Sequence, residues 1–155
     1  TCSTNKAAPC RELGADLIVD YTEQDFVEEI ELWTQGQGVD VVLDVIGGDY
    51  LPKNLQCLKV QGRIIQVGAM GGPVASFALG ALLPKRASLI GTVLRSRPIE
   101  QKIEANQRFI AELLPRFEDG TLKPVVDSRY QLADIAAAHA YMETNANFGK
   151  ILIDI

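Results

Sequence analysis

Two places in this chain bring bare backbone to a position where a ligand could use it. Val39-Asp40-Val41-Val42-Leu43-Asp44-Val45-Ile46 is a near-continuous apolar run ending in Gly47-Gly48, and Arg63-Ile64-Ile65-Gln66-Val67 runs into Gly68-Ala69-Met70-Gly71-Gly72. Runs of this kind read as strands buried on both faces, as in parallel sheets covered by helices. At the carboxyl end of such a strand, glycine removes the Cβ that would hold a ligand or a neighbouring helix away from the main chain. The chemistry this offers is recognition by N–H and C=O groups, at the edge where open parallel sheets bind their ligands. The same glycines could equally serve tight turns between strand and helix.

Side chains with chemistry of their own are sparse. Asp40 and Asp44 suggest an acid/base pair, but four residues of extended chain separate them by ~13 Å, so the pairing fails. His139 lies at helical spacing from Ile135 and Met142, which reads as a histidine packed on an apolar face. Cys2, Cys10 and Cys57 are odd in number and form no Cys-x-x-Cys pair, so neither a disulfide framework nor a metal site is indicated. Gly36-x-Gly38 precedes a strand, with Val41 where a third glycine would be needed, and reads as a helix cap; the Gly-x-Gly-x-x-Gly fingerprint does not occur.

The elements that must position these residues follow from periodicity. Ala8 to Leu13 reads as a helix closed by Gly14, and Leu17 to Tyr21 as a short strand. Thr22-x-x-Asp25 resembles a capping box ahead of a helix with Phe26, Val27, Ile30 and Trp33 on one face. After the Val39 to Val45 strand, Asp49 is expected to cap a helix burying Leu51, Leu55 and Leu58 and broken by Gly62. Strands at Arg63 to Val67 and Ser88 to Leu94 flank a helix near Phe77 to Leu83. This alternation is the signature of right-handed βαβ units and a parallel sheet. Then Ile103, Phe109, Ile110, Leu113 and Phe117 mark a long helix perturbed near Pro115 and ended by Gly120. Pro124 to Asp127 reads as extended, Asp134 as the cap of a helix, and Lys150 to Ile155 as a closing strand.

Composition sets the bounds. A chain of 155 residues can bury roughly 70% of its unfolded surface and needs no crosslinks. Fifteen basic against twenty acidic residues give a net charge of -5 without a basic cluster, which argues against nucleic acid as a partner. No stretch reaches the ~18 consecutive apolar residues of a membrane span, and no signal-peptide layout opens the chain, so a cytoplasmic location and no membrane partner are expected.

Seven blocks taken in order carry a family resemblance: Leu13-Gly14-Ala15-Asp16, Asp44-Val45-Ile46-Gly47-Gly48, Val67 to Gly72, Leu82 to Leu89, Leu94-Arg95-Ser96-Arg97, His139 to Glu143, and Gly149-Lys150-Ile151. The chain resembles the zinc-independent, zeta-crystallin-like quinone oxidoreductases of the medium-chain dehydrogenase/reductase family, most of all the stress-inducible NADPH:quinone oxidoreductases. The likeness runs over essentially the whole sequence but only over the C-terminal half of such an enzyme. It implies an α/β fold, a truncated doubly wound Rossmann-type parallel sheet without its first strand and glycine-rich turn, entered at the end of the second strand. It also implies a division into residues 1–120, a truncated dinucleotide-binding domain, and residues 121–155, a segment returning to the GroES-like substrate domain. The two strands left beside the gap must then pair with each other, be covered by another chain, or belong to a longer polypeptide.

By the same resemblance, Thr4, Asn5 and Lys6 lie where the family meets the adenosine ribose. They include no acid, which suits a 2′-phosphate and so favours NADPH over NADH; the alternative is a solvated polar terminus. Tyr21 would lie near the adenosine, or simply pack at a strand end. Ile46, Gly47 and Gly48 would border the adenine and ribose, and Gly68, Ala69 and Met70 would line the nicotinamide side. Leu94, Arg95 and Ser96 would approach the nicotinamide, with Arg97 a solvated charge. Phe148, Gly149 and Lys150 match a family position beside the cofactor, or form the turn before the closing strand. No catalytic residue and no metal ligand is expected. The implied activity is NADPH-dependent hydride transfer to quinones or activated carbonyls, in a homodimer formed through the Ser88 to Leu94 edge. The competing reading is a non-catalytic Rossmann remnant that only dimerises.

Overall fold

The structure, a computed structural model, describes all residues from Thr1 to Ile155. It forms two compact units, Thr1–Arg97 and Pro98–Ile155. This packing division falls ahead of the one expected at residue 120, so the long helix groups with the C-terminal elements.

In the first unit a 3₁₀ turn at Thr4–Lys6 leads into α1 (Ala7–Glu12), and Gly14 follows at φ +95°. Leu17 to Tyr21 does not form the expected strand. It makes one parallel bridge, Cys2 to Asp20, with Cys2 N–H donating to the Val19 carbonyl at 3.0 Å and Tyr21 N–H to the Cys2 carbonyl at 3.1 Å. Val19 is instead buried against Phe26 and Cys57, so side-chain packing holds the segment in place of a ladder. α2 (Phe26–Thr34) is capped by Asp25, whose carboxylate accepts from Val27 N–H at 2.8 Å. Thr22 is not the cap; its hydroxyl donates to Asp20. Trp33, expected on the buried face of α2, is 53% exposed.

β1 (Val39–Asp44), β2 (Leu58–Gln66) and β3 (Ser88–Gly91) form a parallel sheet in that order. Val42 pairs with Ile64, and Ile64 with Leu89. α3 (Tyr50–Cys57) ends earlier than its leucine spacing suggests, and Leu58 opens β2. Between Leu58 and Arg63 the strand bulges, with Gln61 at φ +66°. Asp49 does not cap α3 through its side chain, because its own backbone is already helical (φ -69°, ψ -10°). The short α4 (Leu82–Lys85), after a 3₁₀ turn at Leu79–Ala81, precedes β3, which stops at Gly91 rather than Leu94. Lys85 ties this end of the unit down by donating from Nζ to the Gln56 carbonyl at 2.7 Å.

Alternation along the strands explains the core. Val42 and Ile64 point toward α3, where Leu51, Leu55, Leu58 and Ile64 form a buried cluster. Full burial of each such side chain contributes about 1.5–3 kcal/mol. The opposite face carries Val41, Leu43, Ile65 and Ile90, and within this unit nothing covers it: Leu43 is 70% exposed. The expectation that β1 is buried on both faces is therefore corrected, since the helices of the unit cover one side only. The outer edge of β1 pairs with no strand, and Leu17 to Tyr21 does not close it.

In the second unit α5 (Ile99–Glu112) and α6 (Leu114–Glu118) are split at Leu113, where Pro115 in the first turn of α6 cannot supply an N–H. Phe109 and Phe117 keep the two pieces together with ring centroids 6.0 Å apart. β4 (Val126–Gln131), α7 (Ile135–Glu143) and β5 (Lys150–Asp154) form a βαβ unit whose strands are parallel. Asp134 stands at the start of α7 without a side-chain capping bond. His139 is exposed rather than packed in a core; it borders a 110 Å³ apolar groove with Ile135, Ala138, Met142, Ile151 and Ile153.

No helix is long and apolar enough to cross a membrane. Cys57 is buried, and burial pushes its thiol up to about 11, so it stays protonated and unreactive at neutral pH.

Candidate functional site

Asp44, the last residue of β1, organises the turn that follows. Its Oδ1 accepts from Ile46 N–H at 2.6 Å and Gly47 N–H at 3.0 Å, while Oδ2 accepts from Asn54 Nδ2 at 2.9 Å. Both Asp44 and Asn54 are buried, so a carboxylate with three donors joins strand, turn and α3. Asp40, by contrast, is exposed and pairs with Lys59 at 3.1 Å, so the two aspartates have unrelated roles.

The turn is locked against the loop after β2. Met70 N–H donates to the Val45 carbonyl at 3.2 Å, and Gly71 N–H to the Ile46 carbonyl at 2.8 Å. Backbone meets backbone this closely only because glycine stands at the crossing points. A Cβ on Gly48 would come within 2.8 Å of the Gly71 oxygen, and one on Gly68 within 2.8 Å of the Val45 oxygen. Gly47 and Gly48 also hold φ of +66° and +53°, the left-handed region that suits glycine. Gln66 completes the lock: its Nε2 donates to the Gly68 carbonyl at 2.7 Å and the Asp44 carbonyl at 3.3 Å.

Under the interlocked loops a cleft of about 400 Å³ opens at the carboxyl ends of the strands, lined by Gly47, Gly48, Leu51, Gln66, Ala69, Gly72 and residues of the 73–75 and β3 segments. Of the expected positions, Gly47, Gly48 and Ala69 reach this cleft. Ile46, Gly68 and Met70 contribute to the lock behind it, with the Met70 side chain in solvent. Asp44, Asn54 and Gln66 are parts of the site that sequence reasoning missed. An aspartate two and three residues ahead of the amides it binds is a local Asx-turn signal and was available for Asp44.

The remaining expected residues lie elsewhere. Thr4, Asn5 and Lys6 form the 3₁₀ turn near the start of the chain. The Thr4 hydroxyl donates to Asp20, which also accepts from Thr22 Oγ1 at 2.6 Å. These hydroxyl contacts, Thr22 first and Thr4 second, hold the Asp20 carboxyl below its ordinary range. The loop without an acid of its own therefore has one beside it. Tyr21 is largely exposed, next in sequence to Asp20. Leu94, Arg95 and Ser96 lie in the loop after β3, and Arg97 is not a merely solvated charge: it donates to Thr92 Oγ1 at 2.6 Å and to the Val93 carbonyl at 3.0 Å, closing that loop on itself. Phe148, Gly149 and Lys150 belong to the second unit. There Phe148 N–H donates to Asp127 at 2.7 Å and Lys150 N–H to the Val125 carbonyl at 2.9 Å, which fixes the turn before β5.

The sequence profile of the family described as zinc-binding dehydrogenase matches residues 13–153. The chain belongs to the zinc-binding dehydrogenase family. It is 35% identical to a 2-haloacrylate reductase of Burkholderia sp, covering 99% of this chain and 46% of that protein. It is 31% identical to quinone oxidoreductase 1 of Escherichia coli K12, covering 97% of this chain and 46% of that protein. A crystal structure of quinone oxidoreductase from Pseudomonas syringae pv. Tomato DC3000 superposes with a TM-score of 0.76 at 28% identity, over 99% of this chain and 47% of that one. This zinc-binding dehydrogenase chain thus spans about half the length of the relatives it matches, as a quinone oxidoreductase-like C-terminal portion of Rossmann type.

The family description names zinc, but the residues here do not fit it. No three His, Cys, Asp or Glu side chains converge where a metal ion could sit. His139 faces apolar neighbours, and the Cys57 thiol is buried and protonated. A nicotinamide cofactor, the kind used across this dehydrogenase family, does fit the cleft. Its walls are main chain and largely apolar side chains at strand carboxyl ends, with glycine at four of the lining positions.

Proposed function

We propose that this chain is the greater part of the cofactor domain of a zinc-independent, NADPH-dependent oxidoreductase that transfers hydride to quinones or related activated carbonyl compounds. The observation that carries the reading is the cleft beneath the interlocked Gly47-Gly48 and Gly68-to-Gly72 loops. The quinone oxidoreductase and haloacrylate reductase relatives support the reaction class. When bound, the dihydronicotinamide supplies the hydride. The chain's own part is to orient and to keep water out: Gly47, Gly48 and Ala69 present the main chain, and Leu51, Ala75 and Leu89 form the apolar wall. Thr4, Asn5, Lys6 and Tyr21 are assigned to the adenosine end and Leu94, Arg95 and Ser96 to the nicotinamide surroundings, while Phe148, Gly149 and Lys150 are assigned a position beside the cofactor. Residues 1–120 then serve the cofactor and residues 121–155 the substrate domain, in a cytoplasmic enzyme.

Titrating the 155-residue chain with NADPH while following backbone amide resonances tests this. Shifts are expected at Gly47, Gly48, Gly68 and Ala69, with an affinity weaker than micromolar, since no glycine-rich turn opens a helix toward the pyrophosphate in this sequence. Shifts at Thr4 to Lys6 with NADPH but not NADH are expected as well. Silence at the four cleft residues under saturating ligand overturns the assignment.

The homodimer belongs to the same proposal. All four residues of β3 are exposed, including the apolar Leu89 and Ile90, and the strand's outer edge pairs with nothing in the chain. Such an edge is satisfied by a second copy of itself across a two-fold axis. Sedimentation at high concentration should show a dimer that Ile90→Lys dissociates; a wild-type monomer refutes the interface.

A further inference from the structure

We propose that Gln66 determines specificity within the cleft: its side-chain Oε1 accepts a hydrogen bond from the carboxamide N–H of a nicotinamide ring and so selects the amide over ring substituents that cannot donate. The proposal rests on the reading of the cleft as the cofactor site; it places the ring beside Ala69, the lining residue assigned to the nicotinamide side, and adds the group that recognises the ring's substituent.

The residues lining the cleft are Gly47, Gly48, Leu51, Ala69 and their neighbours, and Gln66 alone among them has a polar side chain. Cofactor pockets are characteristically apolar surfaces with very few polar groups, and those few fix orientation. The orientation of this one is settled by its partners. Nε2 lies 2.7 Å from the Gly68 carbonyl oxygen and 3.3 Å from that of Asp44, and both can only accept. The nitrogen must therefore face them, with both of its hydrogens committed. What Gln66 has left to offer a ligand is an acceptor, neutral and fixed in place by the same two contacts that close the loop lock.

A neutral acceptor in an apolar cleft is matched by a neutral N–H donor. The primary carboxamide of nicotinamide is one. An oxidised quinone presents only carbonyl acceptors and leaves Oε1 unsatisfied, so the cleft favours the cofactor ring over the substrate. A carboxylate in the carboxamide's place would meet the oxygen dipole head-on with no cation among the lining residues to offset it.

The test uses reduced nicotinamide mononucleotide and its 3-acetylpyridine counterpart, which is neutral and similar in shape but has no N–H, titrated against the full chain. The wild type is expected to bind the nicotinamide form about tenfold more tightly. Gln66→Met, which keeps length and removes the acceptor, should bring the two affinities within about twofold. Losing the Nε2 contacts to Gly68 and Asp44 would weaken both ligands alike, so the ratio isolates Oε1. Equal affinities in the wild type, or an undiminished preference in Gln66→Met, overturn the role of Gln66 while leaving the cleft assignment standing. Absence of any shift at Gly47, Gly48 and Ala69 with either ligand overturns both. Should Gln66→Met not fold, the Gln66 side-chain carbonyl ¹³C resonance of the wild type gives the answer: it should move with the nicotinamide ligand and not with the acetyl one, and equal movement refutes the bond.

Discussion

Replacing Asp44 with alanine is expected to destabilise the first unit by about 3–5 kcal/mol, the cost of leaving three donors inside the fold without their acceptor. The carboxylate is buried and receives three donors, from Ile46 N–H, Gly47 N–H and Asn54 Nδ2. Without it, two main-chain amides and a side-chain amide are left inside the fold with no acceptor. Against a total stability of about 5–15 kcal/mol for a domain, this is a large fraction. Asp44→Asn should cost less, about 1–2 kcal/mol, because its Oδ1 still serves the two main-chain amides and Asn54 can rotate to present its oxygen to the new NH₂. Urea unfolding followed by the emission of Trp33 makes the comparison. Trp33 is the single tryptophan of the chain and lies in α2, so it reports on the first unit alone. An alanine variant within about 1 kcal/mol of wild type would show that water already solvates this turn, and that Asp44 is not what shapes the cleft.

Asp44 also shows where sequence reading succeeds and where it stops. The glycine pairs after apolar runs are local signals, and the structure places both at the ends of parallel strands. The Asx turn is local too, and an aspartate followed by glycine at its third position could have been read as one. Asn54 and the bond from Gln66 to Asp44 were out of reach, because the carboxylate and carbonyl of Asp44 are brought to them by the docking of α3 and the pairing of β1 with β2. The apolar character of Leu17 to Tyr21 was real, yet a strand needs a ladder partner, and within this unit only Cys2 provides one. Likewise Val41, Leu43 and Val45 have the composition of a doubly buried strand, but composition cannot say whether the covering layer belongs to the same unit; here these residues are exposed. The helix break at Leu113 was legible because proline's missing N–H acts on its own neighbours. Interactions within a few residues could be read, and those closed by tertiary neighbours could not.

The glycine lock admits an equally direct test. Gly48→Val is expected to cost about 3 kcal/mol and to abolish nucleotide-induced shifts at Gly68 and Ala69. Two separate penalties add. The position holds φ +53°, which a β-branched side chain tolerates poorly. A Cβ there would also sit 2.8 Å from the Gly71 oxygen and 3.2 Å from its carbonyl carbon, and these are main-chain atoms that cannot swing aside as a flexible side chain would. The Gly71 N–H bond to the Ile46 carbonyl must then lengthen or break, which separates the two loops that roof the cleft. Gly72→Val separates the two contributions, because Gly72 is at φ +133° with nothing within 4 Å of a new Cβ, so strain acts there without a clash. Gly80→Ala, in open space and without a positive φ, should remain within about 0.5 kcal/mol of wild type. The expected order of melting temperatures is therefore Gly80→Ala, then Gly72→Val, then Gly48→Val, with the last lower than wild type by about 6–12 °C. If Gly48→Val melts together with Gly72→Val and still shows the ligand shifts, close approach of the two main chains is not what forms the cleft, and the glycines serve the turns alone.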